Sequence, residues 1–396
     1  MNGAVWVFRR ELQRVFALKA AFSVLVAAII LYAVFYPQPY LNEALREVPI
    51  VLIDQDGTVS SRELARRIEA TSDIAIAAVL PDLPNAEREI YARRAFGILL
   101  IPQNFERDLL HGRASPIALY ADASYFLIYQ RVSGAIAAVA RTFGVAVETA
   151  RLIGVGVDPA SALPATDPMP LTTVPLFNPQ GGYATYLLPA AFVLILQQTL
   201  LIGVGLLGTL SEARSSDEDH LHRPDPQPGA AAVVVGKLAA YLVLQAAIFP
   251  FYLVGLPYVY GVPRLGSVMA ILIFAVPFVL AVGGLGLVMA AIFRKPLTVQ
   301  LACAAIGLPF FFLAGFAWPA EAIPAPLRIV SLLVPSTSAI DGFVRLSQMG
   351  APLADVRPQL FALWALTLAY GGTAFALIKH RMDRSIAPRS DRCRGL

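Results

Sequence analysis

The chain has 396 residues, of which 57% are hydrophobic and only 15% charged, with a formal net charge of +4 and a mean hydropathy of +0.64. That balance excludes an ordinary soluble protein of this size and points to a membrane as the solvent for the apolar excess. Both cysteines, Cys303 and Cys393, lie outside residues 40–180, which excludes disulfide staples and cysteine-based metal sites from that stretch.

Residues 1–15 read as an amphipathic helix, with Val5, Phe8, Leu12 and Val15 at helical spacing and Arg9, Arg10 and Arg14 elsewhere on the surface. Two readings fit it: a helix lying on the inner membrane surface, or a simple positive anchor for the first span. Residues 16–36 form that span. The apolar run is longer than a signal-peptide core and ends in Phe35-Tyr36-Pro37, not in a small-x-small cleavage site, so the helix is read as retained.

Crossing roughly 30 Å of hydrocarbon takes about 20 apolar residues. Five further runs meet that need: 183–207, 231–256, 267–293, 297–316 and 360–378. Basic residues near span ends set orientation. Arg9, Arg10, Arg14 and Lys19 precede the first span, Arg294 and Lys295 separate the fourth and fifth, and a basic tail at 379–396 follows the sixth. Both termini and the 209–230 loop are therefore expected inside, with 40–180 and 317–359 outside. Lysine usage agrees, since none occurs between Lys19 and Lys237.

Within 40–180, short apolar runs alternate with helical patterns. Strands are expected at Val48 to Ile53, Ile74 to Leu80, Phe96 to Ile101 and Ile117 to Tyr120. Helices are expected after a capping box at Ser60 to Glu63, over Ala86 to Ala95, from Phe105 through Leu109 to Gly112, and over 124–153. The fold class is therefore a membrane α-helical protein of about six transmembrane helices with an inserted extracytoplasmic α/β domain.

Several motifs carry possible chemistry. Asp54-Gln55-Asp56-Gly57-Thr58 at a strand end has the form of a phosphatase D-x-D-G-T motif, but no lysine stands in this domain to hold a phosphate, and no later acidic pair is evident for magnesium. A turn is the preferred reading. Gly203-Val204-Gly205-Leu206-Leu207-Gly208 matches G-x-G-x-x-G inside an apolar span, without the strand a dinucleotide fold requires, and reads as close helix packing. Asp217, Glu218, Asp219, His220 and His222 have metal-ligand chemistry but no ordering framework, so they read as a solvated loop. There is no G-x-x-x-x-G-K-[ST], and Gly236-Lys237-Leu238 lacks its spacing and hydroxyl. Any ATPase driving this chain is a separate chain. Gln197 and Gln198 fall near the middle of the second span, where an amide needs a partner, and are assigned to a helix interface or a transport path.

The order of these features resembles the type-2 ABC exporter permeases (ABC-2 type transporter family), specifically the subgroup with a large extracytoplasmic domain between the first two helices. The residues that carry the resemblance are Val51-Leu52-Ile53-Asp54-Gln55-Asp56, Ser61-Arg62, Gly97 to Pro102, and Phe105-Glu106-Arg107-Asp108 with Gly112. Toward the C-terminus they are Gly315-Phe316-Ala317-Trp318-Pro319, Ile323-Pro324, Pro335-Ser336-Thr337 and Asp341-Gly342 with Arg345. The resemblance implies the permease subunit of an ATP-driven exporter in the bacterial inner membrane, moving a drug, lipid or glycan-lipid. Its implied partners are an ABC ATPase subunit and a second permease subunit, with room for a periplasmic adaptor and none for nucleic acid. ATP and magnesium would sit on the ATPase, with no cofactor on this chain. Residues 317–359, with Gly315, Pro319, Pro324, Pro335, Asp341 and Arg345, would form a re-entrant segment. The four prolines at 319, 324, 326 and 335 permit this by breaking any continuous helix. Glu212 and Arg214 at the exit of the second span would contact the ATPase, with Arg10 and Arg14 as the next coupling candidates. A membrane sensor using the 40–180 domain is the competing function, and a phosphatase using Asp54 and Asp56 a more distant one.

Overall fold

The computed structural model describes residues 3–42, 44–214 and 228–386. The chain forms two compact units, one built from its beginning up to residue 43 together with residues from Pro175 onward, the other from Ala44–Val174.

The helical unit begins with α1 (Gly3–Ala17). Leu18 leaves the helical region, with φ −95° and ψ 108°, and the chain turns there into α2 (Lys19–Tyr40), the first helix long and apolar enough to cross a membrane. On α1 the face packed against the protein holds Val7, Glu11 and Val15, so of the expected apolar stripe Val15 is buried while Val5 is exposed. The buried face is chosen by a close backbone approach to Gly236, where an added Cβ would lie 2.6 Å from the Ala4 carbonyl oxygen and 2.8 Å from the Val7 Cβ.

The inserted unit carries β1 (Val48–Asp54), α3 (Val59–Glu69), β2 (Ile74–Val79), α4 (Leu83–Tyr91), β3 (Gly97–Ile101), α5 (Phe105–Leu110), β4 (Ala118–Ala121), α6 (Phe126–Gly154) and α7 (Pro159–Thr166). Its sheet has the order β2-β1-β3-β4, with β1 parallel to β2 and β3 and with β4 antiparallel to β3. Side-chain alternation splits the core in two. Ile50, Leu52 and Leu99 pack with Leu64 of α3 and Ile136 of α6, while Val51, Ile53 and Ile98 pack with Ala86 of α4 on the other face. Two helix starts differ from expectation. Thr58, not Ser60, caps α3 in a reciprocal box with Ser61, and Glu63 instead binds Arg66 and Arg67. Asp82 caps α4, so that helix begins at Leu83 and ends at Tyr91, ahead of Arg93 at φ 56°.

The chain returns to the helical unit with α8 (Tyr183–Arg214), α9 (Ala230–Val259), α10 (Val268–Ile292), α11 (Pro296–Leu313), α12 (Ala325–Ser331), α13 (Pro335–Ser347) and α14 (Arg357–Ile386). Six helices among the described residues are long and apolar enough to span: α2, α8, α9, α10, α11 and α14 with the short turn before it. α8 sits innermost, with 78% of its most apolar stretch enclosed, against 11% for α11. The G-x-G-x-x-G run explains this position. Added Cβ atoms would meet Leu25 of α2 at 2.3 Å from Gly203, Val299 of α11 at 3.0 Å from Gly205, and Ala290 of α10 at 2.3 Å from Gly208. Three glycines thus admit three neighbouring helices to one stretch of backbone. On the other side of the unit, Phe274, Phe278 and Phe343 meet edge-on at 5.0 and 6.0 Å.

Candidate functional site

A cavity of about 540 Å³ opens between α2, α8 and α11. Tyr32 and Tyr36 line it from α2, Gln197 and Gln198 from α8, Gln300 and Phe311 from α11, and no Asp, Glu, Lys or Arg borders it among the described residues. The two predicted glutamines bind different helices. Gln198 donates its Nε2–H to the Cys303 carbonyl at 2.6 Å, while Gln197, 1% exposed, donates to Ser336 Oγ at 3.0 Å. The Gln197 Oε1 has no protein partner, and neither do the amide atoms of the buried Gln245 on α9. In a membrane such groups need a partner, which water or a bound molecule can supply.

The segment after α11 is bent, not a single continuous helix. Gly315 takes φ +81°, a left-handed conformation suited to glycine, and releases the chain from α11. Pro319 precedes a short turn at Ala320–Ala322, Pro324 precedes α12, and Pro335 opens α13, each at a helix edge where a missing N–H costs nothing. α12 and α13 meet at 82°. Asp341 accepts from Arg345 Nε at 2.7 Å and from Gln359 Nε2 at 2.6 Å, joining α13 to the start of α14. Tyr370 of α14 donates to the Leu333 carbonyl at the bend, 2.5 Å away.

The predicted coupling residues separate into two groups. Glu212 and Arg214 stand in the final turn of α8, whose side chains are not described there, and the loop at 215–227, with the acidic and histidine cluster, lies outside the described residues. Arg10 stacks over Trp6 at 4.8 Å. Arg14 reaches inward, donating through Nη2 to the Leu207 carbonyl of α8 at 2.9 Å and through Nη1 to Glu11 at 3.1 Å. Glu11 is 2% exposed and also accepts from the Tyr241 hydroxyl at 2.5 Å, with Lys237 Nζ 3.5 Å away. Burial pushes the Glu11 carboxyl up, but Lys237, Arg14 and the Tyr241 hydroxyl outweigh it and hold its pKa below the ordinary carboxylate value. Glu11 and Tyr241 were not singled out by the sequence, and Lys237 drew notice there only for lysine placement and as a failed phosphate-loop match. A glutamate on the face shared with Val7 and Val15 was the available signal.

The Asp54 and Asp56 carboxylates are consumed by the turn that contains them. Asp54 accepts from the Asp56 and Gly57 amides and the Ser61 hydroxyl, and Asp56 from the Thr58 hydroxyl and the Glu106 amide. Glu106 in turn accepts from the Ser60 amide and hydroxyl. Burial opposes ionisation of Asp56, yet the Thr58 hydroxyl and the α5 backbone amides hold its pKa below the usual value. The arrangement is a latch between the β1 turn and α5.

The family model for the ABC-2 family transporter proteins matches residues 19–376, most of the chain. The chain belongs to this family. As an ABC-2 protein it is a multi-pass membrane permease, and membership implies pairing with an ABC ATPase subunit. It is similar to the probable multidrug ABC transporter permease YbhR of Escherichia coli, strains K12 and O157:H7. Identity to each is 19% over 377 residues, covering 95% of this chain and 98% of the relative. In this ABC-2 permease the cavity, the bent α12 and α13 pair, and the α1 contacts all belong to the helical unit, and only the Asp54 and Asp56 candidates lie in the inserted one.

Proposed function

We propose that this permease exports an amphipathic or hydrophobic molecule, a drug, lipid or glycan-lipid, from the inner membrane or cytoplasm, driven by a separate ATPase that holds ATP and magnesium. The observation that carries the reading is the cavity between α2, α8 and α11, whose aromatic, aliphatic and amide lining without fixed charge suits an amphipathic guest. The multidrug designation of the E. coli relative is consistent with it. A second permease copy would complete the path against α11, the span this chain covers least. Arg and Lys placement supports an orientation with both termini cytoplasmic and residues 44–174 outside, where an adaptor protein would find them.

Purification with its neighbours should recover an ABC ATPase, and proteoliposomes of that complex should extrude ethidium or a fluorescent phospholipid only when ATP is supplied. Recovery without any ATPase, or extrusion indifferent to ATP, refutes the reading. A reporter fused after Ala123 should be active only outside the cytoplasm, and cytoplasmic activity there overturns the orientation.

A further inference from the structure

α1 runs beside the start of α9, with Gly3 against Pro228 and Ala232, Val7 against Gly236, and Glu11 against Lys237 and Tyr241. Through Arg14 the same helix holds the Leu207 carbonyl of α8. Leu207 precedes the connection between α8 and α9, and Lys237 and Tyr241 follow it. One short helix is therefore bonded to both helices that the connection joins, on either side of it.

The junction depends on a single carboxylate. Glu11 Oε1 takes the Tyr241 hydroxyl and faces Lys237, and its Oε2 takes Arg14. Without that charge, two largely buried cations would be left at one site with no other ion-pair partner among the described residues. An apolar contact would hold α1 to α9 as well, since buried ion pairs seldom out-stabilise well-packed hydrophobes. Their best-attested use is to fix register. Here the register is also set by Gly236, where the two backbones touch.

We infer that Glu11 is a positioning residue for energy coupling, clamping α8 and α9 to α1 so that a push on the connection between them moves three helices as one body. The inference rests on the permease reading above. Transmission between distant sites requires an element with a defined arrangement that both sites bias. The clamp supplies it, because the cavity is lined by α8 and by α2, which follows α1 after the single-residue turn at Leu18. A loose α1 would let the ends of α8 and α9 spread instead of carrying the motion to Gln197 and Gln198.

The test uses the permease with its co-purified ATPase, on a Cys393→Ser chain carrying Ala304→Cys in the cavity wall, labelled with N-ethylmaleimide. Without other changes, the labelling rate should depend on ATP. Glu11→Gln should keep ATPase association and hydrolysis but reduce the ratio of labelling rates with and without ATP by about fivefold or more, and Tyr241→Phe should act in the same direction. A Gly3→Cys/Ala232→Cys pair, whose Cβ atoms would stand 3.6 Å apart, is within disulfide reach. Closing it in the Glu11→Gln chain should restore the ATP dependence, and reducing it should remove the dependence again. Unchanged ATP dependence in Glu11→Gln, or no restoration by the cross-link, overturns the clamp while leaving the permease reading intact. Should Glu11→Gln fail to assemble, Tyr241→Phe decides alone: wild-type behaviour refutes the clamp, and loss of ATP dependence with hydrolysis retained supports it. A Glu11 chain with no ATP dependence at all refutes the permease reading and the clamp with it.

Discussion

The Nε2 of Gln198 lies 2.6 Å from the carbonyl oxygen of Cys303, so an amide of α8 is bonded to the main chain of α11 at the cavity wall. Gly307, one turn beyond Cys303, makes room for it, since a Cβ there would stand 2.9 Å from the same nitrogen. Gln197 makes the matching reach to Ser336 in the first turn of α13. α8 thereby holds both the open wall of the cavity and the α12 and α13 pair, bent at 82°.

Gln198→Leu removes the link to α11 while keeping similar volume. Interhelical hydrogen bonds in membranes are worth about 0.6 kcal/mol on average, so the purified protein should lose little thermal stability. ATP-driven extrusion should nevertheless fall several-fold, because the lost amide borders the path. Equal extrusion rates at matched permease levels would leave Gln198 a purely structural residue.

Gly208→Ala places a methyl 2.3 Å from the Ala290 Cβ, whereas Gly371 has nothing within 4 Å of an added Cβ. Overpacking of this kind costs about 1–3 kcal/mol. Gly208→Ala should lower the melting temperature of the detergent-solubilised protein, and Gly371→Ala should leave it within error. Similar melting for both chains contradicts the three-helix notch on α8.

The Asp56 latch makes a pH-dependent prediction. Burial pushes its carboxyl up, but the Thr58 hydroxyl and the backbone amides at the start of α5 outweigh it and hold it below the usual Asp range. A depressed folded-state pKa stabilises above the unfolded value, and that contribution is lost as pH falls through the folded one. Asp56→Asn should therefore speed amide exchange at residues 56–61 and 105–106 near neutral pH. The gap between mutant and wild type should close as pH drops below about 4, where an unperturbed Asp protonates. A gap that persists undiminished at low pH would show that shape, not charge, holds the latch.

Glu212 stands on the last turn of α8, beside the connection that the permease reading assigns to ATPase contact. Glu212→Ala should leave membrane insertion unchanged and reduce either ATPase co-purification or substrate-stimulated hydrolysis. Exposed charge pairs are worth about 1 kcal/mol or less, so a severalfold effect is expected rather than complete loss. Indistinguishable co-purification and hydrolysis would move the coupling role to the α1 contacts.

The membrane character of the chain was legible from its sequence because lipid leaves the backbone almost no alternative: an apolar run of about 20 residues must satisfy its own amides as a helix. The strand and helix alternation in the inserted unit was legible for a similar reason, since its strands are short apolar runs set off by residues such as Asp73, Pro102 and Asp122. Local chemistry did not decide between Ser60 and Thr58 as the cap of α3. A tertiary contact decided it, for Glu106 takes both the amide and the hydroxyl of Ser60, and Thr58 is left to cap. The same limit hid the α1 junction. Tyr241 and Glu11 stand 230 positions apart, and a buried carboxylate shared by three partners leaves no period or spacing in the chain. Only the packing of α1 on Gly236 brings those groups together, because a contact between two backbones is set by the absence of a side chain on one of them and the rotation of both. The cavity is likewise a property of assembly: α2, α8 and α11 each read as an ordinary apolar span, and only their glycine-mediated approach turns Gln197, Gln198 and Gln300 toward one space.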